Sequence, residues 1–135
     1  MEENKKTIQF GEHVTIDGYG GDPELLNSKE TVSFLLSDLA AKLGMHTLSA
    51  PIVISAPDNG IKDPGGWSGF VVLAESHIAV HTFPKRRFVS ADVYTCKSGT
   101  DVQKIISYFT ETFKLTDIET NFIKRGTRYP AENLI

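Results

Sequence analysis

The sequence has 135 residues, of which 40% are hydrophobic and 23% charged, and its formal net charge is −3 at pH 7. This length and composition are typical of a globular protein, and we expect residues 1–135 to form a single domain. The small negative charge argues against nucleic-acid binding, and no apolar run is long enough to cross a membrane. We expect a cytoplasmic location, since Cys96 is the single cysteine and the sequence shows no signal-peptide pattern.

The residue pattern predicts six strands and two helices. The strands are expected at about 13–17, 48–56, 70–73, 78–80, 88–94 and 118–123. The helices are expected at about 28–43 and 100–114, because apolar residues recur there at helical spacing. Ser28 and its neighbours resemble a capped helix start, and Gly44 fits the end of that helix.

This order of elements predicts an α+β fold. Two long helices and mostly hairpin-like links favour a two-layer sandwich, in which a mainly antiparallel sheet is covered by helices on one face. The other face of the sheet then needs a cover, and a second copy of the chain in a homodimer would provide it. No metal site is predicted, because one cysteine gives no thiolate cluster and the four histidines lack ligand spacing.

Polar residues interrupt an apolar stretch at Glu75-Ser76-His77. In a strand, Ser76 would share a face with Ile78, whereas His77 and His81 would point to the other face. A turn or bulge at the serine is therefore required before His81 can approach it. We assign no catalytic role to His77.

A serine in a strained turn can attack the carbonyl that precedes it, and elimination from the resulting ester leaves a pyruvoyl group. This ketone forms a Schiff base with a substrate amine and accepts electrons during loss of carbon dioxide, as pyridoxal phosphate does. The chemistry needs a nucleophile, an acid or base, a donor to the oxyanion and a proton donor. Ser76, His81, Ser68 and Cys96 could provide these groups if the fold brings them together.

Several motifs resemble the short prokaryotic S-adenosylmethionine decarboxylase proenzyme family, from about Phe10 to Pro130. They are Gly11-x-His13-x-x-x-Asp17-x-Tyr19-Gly20, Pro64-x-Gly66-x-Ser68-Gly69, Glu75-Ser76-His77-Ile78, His81-Thr82-x-Pro84, Asp92-Val93-Tyr94-Thr95-Cys96 and Arg125-Gly126.

The resemblance implies cleavage between Glu75 and Ser76, which gives a β chain of residues 1–75 and an α chain of residues 76–135 that begins with pyruvoyl. It assigns His81 and Ser68 to processing and Cys96 to proton donation. It also implies a homodimer that acts on a small molecule in polyamine biosynthesis. His13 and Asp17 match the motifs, but we assign them no catalytic role.

Two positions depart from the family pattern. The family has a glutamate that holds the ribose hydroxyls where this chain has Lys85, and an adenine-stacking aromatic residue where it has Lys62. An ammonium group cannot accept hydrogen bonds from hydroxyls, and two added cations repel a sulfonium. Lys85, Lys62 and the nearby Trp67 are therefore the candidate substrate-binding residues.

These departures lead to three hypotheses. The first is a pyruvoyl-dependent decarboxylase of a basic amino acid, L-ornithine or L-arginine, with an acid such as Asp17, Asp22 or Asp63 holding the distal cation. The second is S-adenosylmethionine decarboxylase, with Trp67 or Phe83 stacking on adenine. The third is an inactive regulatory homologue, against which the presence of Ser76, His81 and Cys96 argues.

Overall fold

The computed structural model describes residues 6–61 and 65–135. Its strands are β1 (Thr7–Ile8), β2 (Gly11–Tyr19), β3 (Ile52–Ala56), β4 (Gly66–Leu73), β5 (Ser76–Phe83), β6 (Phe88–Thr95), β7 (Asp117–Arg125) and β8 (Tyr129–Pro130). Its helices are α1 (Pro23–Leu26), α2 (Lys29–Lys42) and α3 (Val102–Phe113), and a short 3-10 turn covers Pro84–Arg86.

Six strands form one antiparallel sheet in the order β3-β4-β5-β6-β2-β7. The helices contact this sheet on one face: α2 packs on β3, β4 and β5, and α3 packs on β2 and β7. The predicted α+β two-layer sandwich is therefore confirmed. β1 and β8 form a separate two-stranded sheet.

The hydrophobic core lies between the sheet and the helices. Apolar residues alternate along the strands, so that one face of each strand is buried. The fully buried residues of the sheet include Val14, Ile16, Val71, Ile78, Val80, Val89 and Val93, and those of the helices include Leu35, Leu36, Leu39, Ile105, Phe109 and Phe113.

Side-chain caps fix where the long helices begin. The Ser28 hydroxyl accepts a hydrogen bond from the Thr31 amide at 3.1 Å, and the Asp101 carboxylate accepts one from the Lys104 amide at 3.0 Å. Such caps satisfy N–H groups that have no partner within the helix. Both predicted helices are confirmed, and the first begins at the expected residue.

Some elements differ from the sequence-based expectation. The expected loop at 18–23 is shorter, because β2 continues to Tyr19 and Pro23 begins α1, where Asp22 caps the helix. The strand expected from residue 48 begins at Ile52, directly after Pro51, which has no N–H to donate to a sheet. The expected loose tail pairs with β1 through β8.

The sheet face opposite the helices, here called the open face, carries both polar and apolar side chains. Ile54, Phe70 and Val72 lie on it and are 61%, 40% and 39% exposed. None of the helices in residues 6–61 and 65–135 is long and apolar enough to cross a membrane.

Candidate active site

The hairpin between β4 and β5 places Ser76 directly after a strained turn. Leu73 pairs with Ser76, so that Ala74 and Glu75 alone form the turn. Glu75 has a φ of +57°, a left-handed conformation that costs a non-glycine residue about 1–2 kcal/mol. The turn lies before Ser76 and not between Ser76 and His81, so the condition for His81 to approach the serine of its own chain is not met. The strained residue is the one whose carbonyl precedes Ser76.

Ser76 and Cys96 meet beside this turn. Ser76 is only 7% exposed, and its Oγ accepts a hydrogen bond of 3.0 Å from the backbone N–H of Cys96. The Cys96 sulfur lies 3.7 Å from the carbonyl oxygen of Ala74 and 3.9 Å from Oε1 of Glu75. The end of β6 therefore provides an N–H donor to the serine hydroxyl and a thiol beside the turn.

Ser68 and His81 form a second polar pair. They are partners across β4 and β5, and Ser68 Oγ is hydrogen-bonded to Nδ1 of His81 at 2.8 Å. His81 is five residues from Ser76 on the same strand, a separation of about 17 Å at roughly 3.3 Å per residue. The turn thus does not bring His81 to the Ser76 of its own chain.

A shallow cavity of about 520 Å³ on the open face links the two polar sites. Ser76 and His77 lie at one end, and the Ser68–His81 pair lies at the other. The remaining lining residues are apolar or glycine, namely Ile54, Gly69, Phe70, Val72 and Ala79. Among the described residues, no carboxylate lines this cavity.

His77 belongs to a hydrogen-bonded cluster that spans four strands of the open face. Nε2 of His77 and Nε2 of His13 both lie within hydrogen-bond distance of Oδ2 of Asp92, at 3.0 and 2.7 Å. Arg125 donates to Nδ1 of His13 at 2.7 Å and lies 4.8 Å from the centre of the Tyr94 ring. The cluster fixes both imidazole rings next to the cavity.

The ligand atoms of His13, His77 and Asp92 are close enough to hold a metal ion. However, Arg125 donates to Nδ1 of His13, so this nitrogen carries no proton. A histidine that ligates through Nε2 usually donates a hydrogen bond from Nδ1. The donor pattern favours a hydrogen-bonded network, and we assign no metal to it.

A buried carboxylate holds the loop that follows Cys96. Glu12 is 6% exposed, and its oxygens accept hydrogen bonds from the amides of Thr100 at 2.9 Å and Gly99 at 3.3 Å. Burial raises the pKa of Glu12, but the hydrogen bonds from Thr100, Gly99 and Gln9 outweigh it, so the pKa lies below its usual value. Glu12 is therefore an anion at neutral pH.

The candidate substrate-binding residues lie apart from Ser76. Trp67 faces the helices, where its indole N–H donates to the carbonyl of Asn27 at 3.0 Å. Lys85 lies in the 3-10 turn after β5, and Ser76 to Phe83 alone spans about 23 Å. Lys62 lies outside the described residues.

The aspartates considered as partners for the distal cation of a basic amino acid make other contacts in the structure. Asp22 accepts the amides of Glu24 and Leu25 at the start of α1, and Asp17 accepts the Ser90 hydroxyl at 2.9 Å on the open face. Asp63 lies outside the described residues. Asp22 is thus engaged as a helix cap.

Comparison with known proteins identifies a family and several relatives. The family model of S-adenosylmethionine decarboxylase matches residues 12–126. The S-adenosylmethionine decarboxylase proenzyme of Caldicellulosiruptor saccharolyticus is 32% identical over 117 residues, which are 87% of this chain and 89% of the relative. The proenzyme of Thermococcus kodakarensis is 35% identical over 121 residues, 90% of this chain and 78% of the relative.

A solved structure shows the same fold. The crystal structure of the adenosylmethionine decarboxylase from Aquifex aeolicus superposes with a TM-score of 0.76 at 25% identity, covering 93% of this chain and 98% of that one. The fold and the relatives define a pyruvoyl-dependent decarboxylase of polyamine biosynthesis that is made as a proenzyme. The chain belongs to the S-adenosylmethionine decarboxylase family, whose members form their pyruvoyl group from an internal serine.

Proposed function

We propose that this chain cleaves itself between Glu75 and Ser76 and that the processed enzyme decarboxylates S-adenosylmethionine. The observation that carries the cleavage site is the position of Ser76, directly after the left-handed Glu75 and within 3.0 Å of the Cys96 amide nitrogen. The names of the relatives and the apolar lining of the cavity support the substrate.

In the first step, Ser76 Oγ attacks the carbonyl carbon of Glu75. The peptide C–N bond breaks, the hydroxyl proton passes to the freed amine, and an ester joins the two residues. The Cys96 N–H stabilises negative charge on the serine oxygen, and cleavage releases the strain at Glu75.

In the second step, the Cα proton of Ser76 is removed and the Cβ–O bond breaks, which releases Glu75 as the carboxyl end of chain 1–75. The remaining dehydroalanine tautomerises, and water replaces its nitrogen, which leaves as ammonia. The residues around Ser76 fit the resulting pyruvoyl group, because the Cys96 amide and thiol lie beside it. The group supplies an electron-withdrawing ketone for decarboxylation, and Cys96 is placed to donate a proton.

We further propose that two copies of the chain pair through their open faces. A single chain leaves Ser68 and His81 about 17 Å from its own Ser76, and it leaves Ile54, Phe70 and Val72 exposed on the same face. An isologous dimer would bury these apolar side chains and could bring the Ser68–His81 pair of one copy to Ser76 of the other. Each site would then consist of residues from both chains.

The lining of the cavity favours a nucleoside over a basic amino acid. Ile54, Phe70 and Val72 offer apolar surface to the adenine ring and the methyl and methylene groups of S-adenosylmethionine. A guanidinium or second ammonium group would need a carboxylate, and the described lining has none. The preference for ornithine or arginine drawn from the sequence thus has no support from the cavity or the relatives.

One observation keeps the basic amino acids as a second candidate. Lys85 stands where the family has the ribose-binding glutamate, and it makes no salt bridge within the described residues. A chain that no longer binds ribose in the family's manner would accept a smaller substrate.

Product analysis tests this assignment. Purified protein is incubated separately with S-adenosylmethionine, L-ornithine and L-arginine, and both carbon dioxide and the amine product are measured, with a Ser76→Ala variant as the control. We expect decarboxylated S-adenosylmethionine to be the main product. Putrescine or agmatine would establish the second candidate, and a cleaved protein inert to all three would exclude both substrate classes.

A further inference from the structure

Glu12 touches neither Ser76 nor the cavity, yet it holds the segment on which Cys96 lies. We infer that Glu12 is a positioning residue for self-cleavage: by binding the loop 97–100, it keeps the Cys96 N–H directed at the Ser76 hydroxyl. This inference rests on the proposed cleavage at Ser76.

The side chains of Glu12 and Thr95 hold the two ends of the loop. Its carboxylate accepts the Gly99 and Thr100 amides, and Thr95, its partner across the sheet, accepts the Lys97 amide at 3.0 Å through Oγ1. Of the four residues that follow Cys96, three have backbone amides that donate to side chains. A loop held in this way cannot shift without breaking hydrogen bonds to a buried anion, which are stronger than hydrogen bonds between neutral groups.

The backbone beside Glu12 is also closely packed against Cys96. A side chain on Gly11 would lie 2.1 Å from the carbonyl oxygen of Thr95 and 3.0 Å from Cα of Cys96. The start of β2 therefore lies against the end of β6 and supports it. Gly11 allows the approach, and Glu12 makes the polar contacts.

A buried carboxylate on the core side of β2 costs desolvation energy, and packing of the core does not require a charge at this position. Glu12 lies on the same strand face as Val14 and Ile16, where an apolar residue would normally stand. Its hydrogen-bond partners are all on Gln9 and on the loop after Cys96. The carboxylate thus organises the loop beside the cleavage site.

The Cys96 N–H contacts Ser76 Oγ, the atom that attacks Glu75 in the first step. The same oxygen leaves with Glu75 when the Cβ–O bond breaks in the second step. A donor to this oxygen favours both steps, and loss of Glu12 should therefore slow release of the two fragments.

Cell-free translation followed by intact mass measurement tests this role. We expect Glu12→Ala to slow release of chain 76–135 by about tenfold, less than the roughly 10²–10³-fold loss when a donor itself is removed. Glu12→Gln should lie between Glu12→Ala and wild type, because its amide keeps one acceptor oxygen.

Val14→Ala is the matched control, since it removes a buried side chain from the same strand without contacting the loop. We expect it to lower the melting temperature but to leave the cleavage rate near that of wild type. Equal slowing in Val14→Ala at the same loss of stability would overturn the inference, as would cleavage of Glu12→Ala at the wild-type rate. If Glu12→Ala does not fold, a Glu12→Gln variant that cleaves at the wild-type rate would overturn it as well. A wild-type chain that stays intact would instead contradict the proposed function.

Discussion

The backbone N–H of Cys96 donates a hydrogen bond to the hydroxyl of Ser76 at 3.0 Å, while the Cys96 thiol lies beside the turn at Ala74 and Glu75. One residue thus offers two groups with different chemistry. The amide can act on the serine oxygen before cleavage, and the thiol can act on a substrate held at the same position afterwards. The two functions of Cys96 should therefore be separable.

Cys96→Ala tests this separation, because alanine keeps the backbone N–H and removes the thiol. We expect self-cleavage to continue and decarboxylation to fall by about 10²–10⁴-fold, the usual contribution of a general acid. Intact mass gives the extent of cleavage, and single-turnover release of carbon dioxide gives the rate of decarboxylation. Cys96→Ser provides the control, since a hydroxyl of similar size could transfer a proton more slowly. Full activity in Cys96→Ala would show that another group donates the proton.

Complementation between two inactive variants tests whether the site is shared between chains. Ser76→Ala lacks the nucleophile, and His81→Ala lacks the base. If His81 acts on Ser76 of the other copy, a mixed dimer contains one complete site, and co-expression should yield cleaved chains from the His81→Ala variant. Mass spectrometry distinguishes the two chains. Absence of cleavage in mixed dimers of demonstrated composition would contradict a shared site.

Lys85→Glu tests the role of the 3-10 turn in substrate choice. The proposed dimer would bring this turn of one copy toward Ser76 of the other, as it would the Ser68–His81 pair. A carboxylate there can accept hydrogen bonds from ribose hydroxyls, which an ammonium group cannot do. We expect the KM for S-adenosylmethionine to fall by about tenfold, equivalent to roughly 1.4 kcal/mol. Arg86→Glu is the matched control, because it makes the same change of charge at the next residue of the turn. An equal effect in both variants would indicate a general effect of charge rather than contact with the substrate.

Tyr19 provides a prediction about pH. Its hydroxyl donates to Glu119, and this hydrogen bond raises the phenol pKa to about 12. The pKa of tyrosine in the unfolded chain is about 10. The Tyr19–Glu119 hydrogen bond therefore stabilises the folded state below pH 10, and this stabilisation is lost as the pH rises toward 12. Phenolate absorbance, taken as the difference between wild type and Tyr19→Phe, should show this titration. Glu119→Gln should return the pKa toward 10.

The sequence predicted the fold well because the main signals are local. Apolar alternation marks the six strands, helical spacing marks α2 and α3, and Ser28 marks the start of α2. The polar interruption at Glu75-Ser76-His77 marked the region of the hairpin, but it did not place the turn at Ala74 and Glu75. By contrast, the short β1 and β8 strands have too few residues to show a pattern, and their pairing depends on contacts across the whole chain.

The hydrogen-bonded cluster of His13, His77, Asp92 and Arg125 on the open face could not be predicted in the same way. His13 and Asp92 are 79 positions apart, and they meet because β2 lies between β6 and β7 in the sheet. Neither the strand order nor the register follows from residue pattern. Glu12 did leave a signal: alternation places it on the face of Val14 and Ile16, where a buried carboxylate requires hydrogen-bond donors.

The intact mass of the purified protein shows whether the chain converts Ser76 to a pyruvoyl group. We expect two fragments that meet between Glu75 and Ser76, with chain 76–135 lighter by one ammonia than a chain that begins with serine. Cleavage at this bond with an unmodified serine would contradict formation of the cofactor. A single intact chain would contradict the proposed self-cleavage altogether.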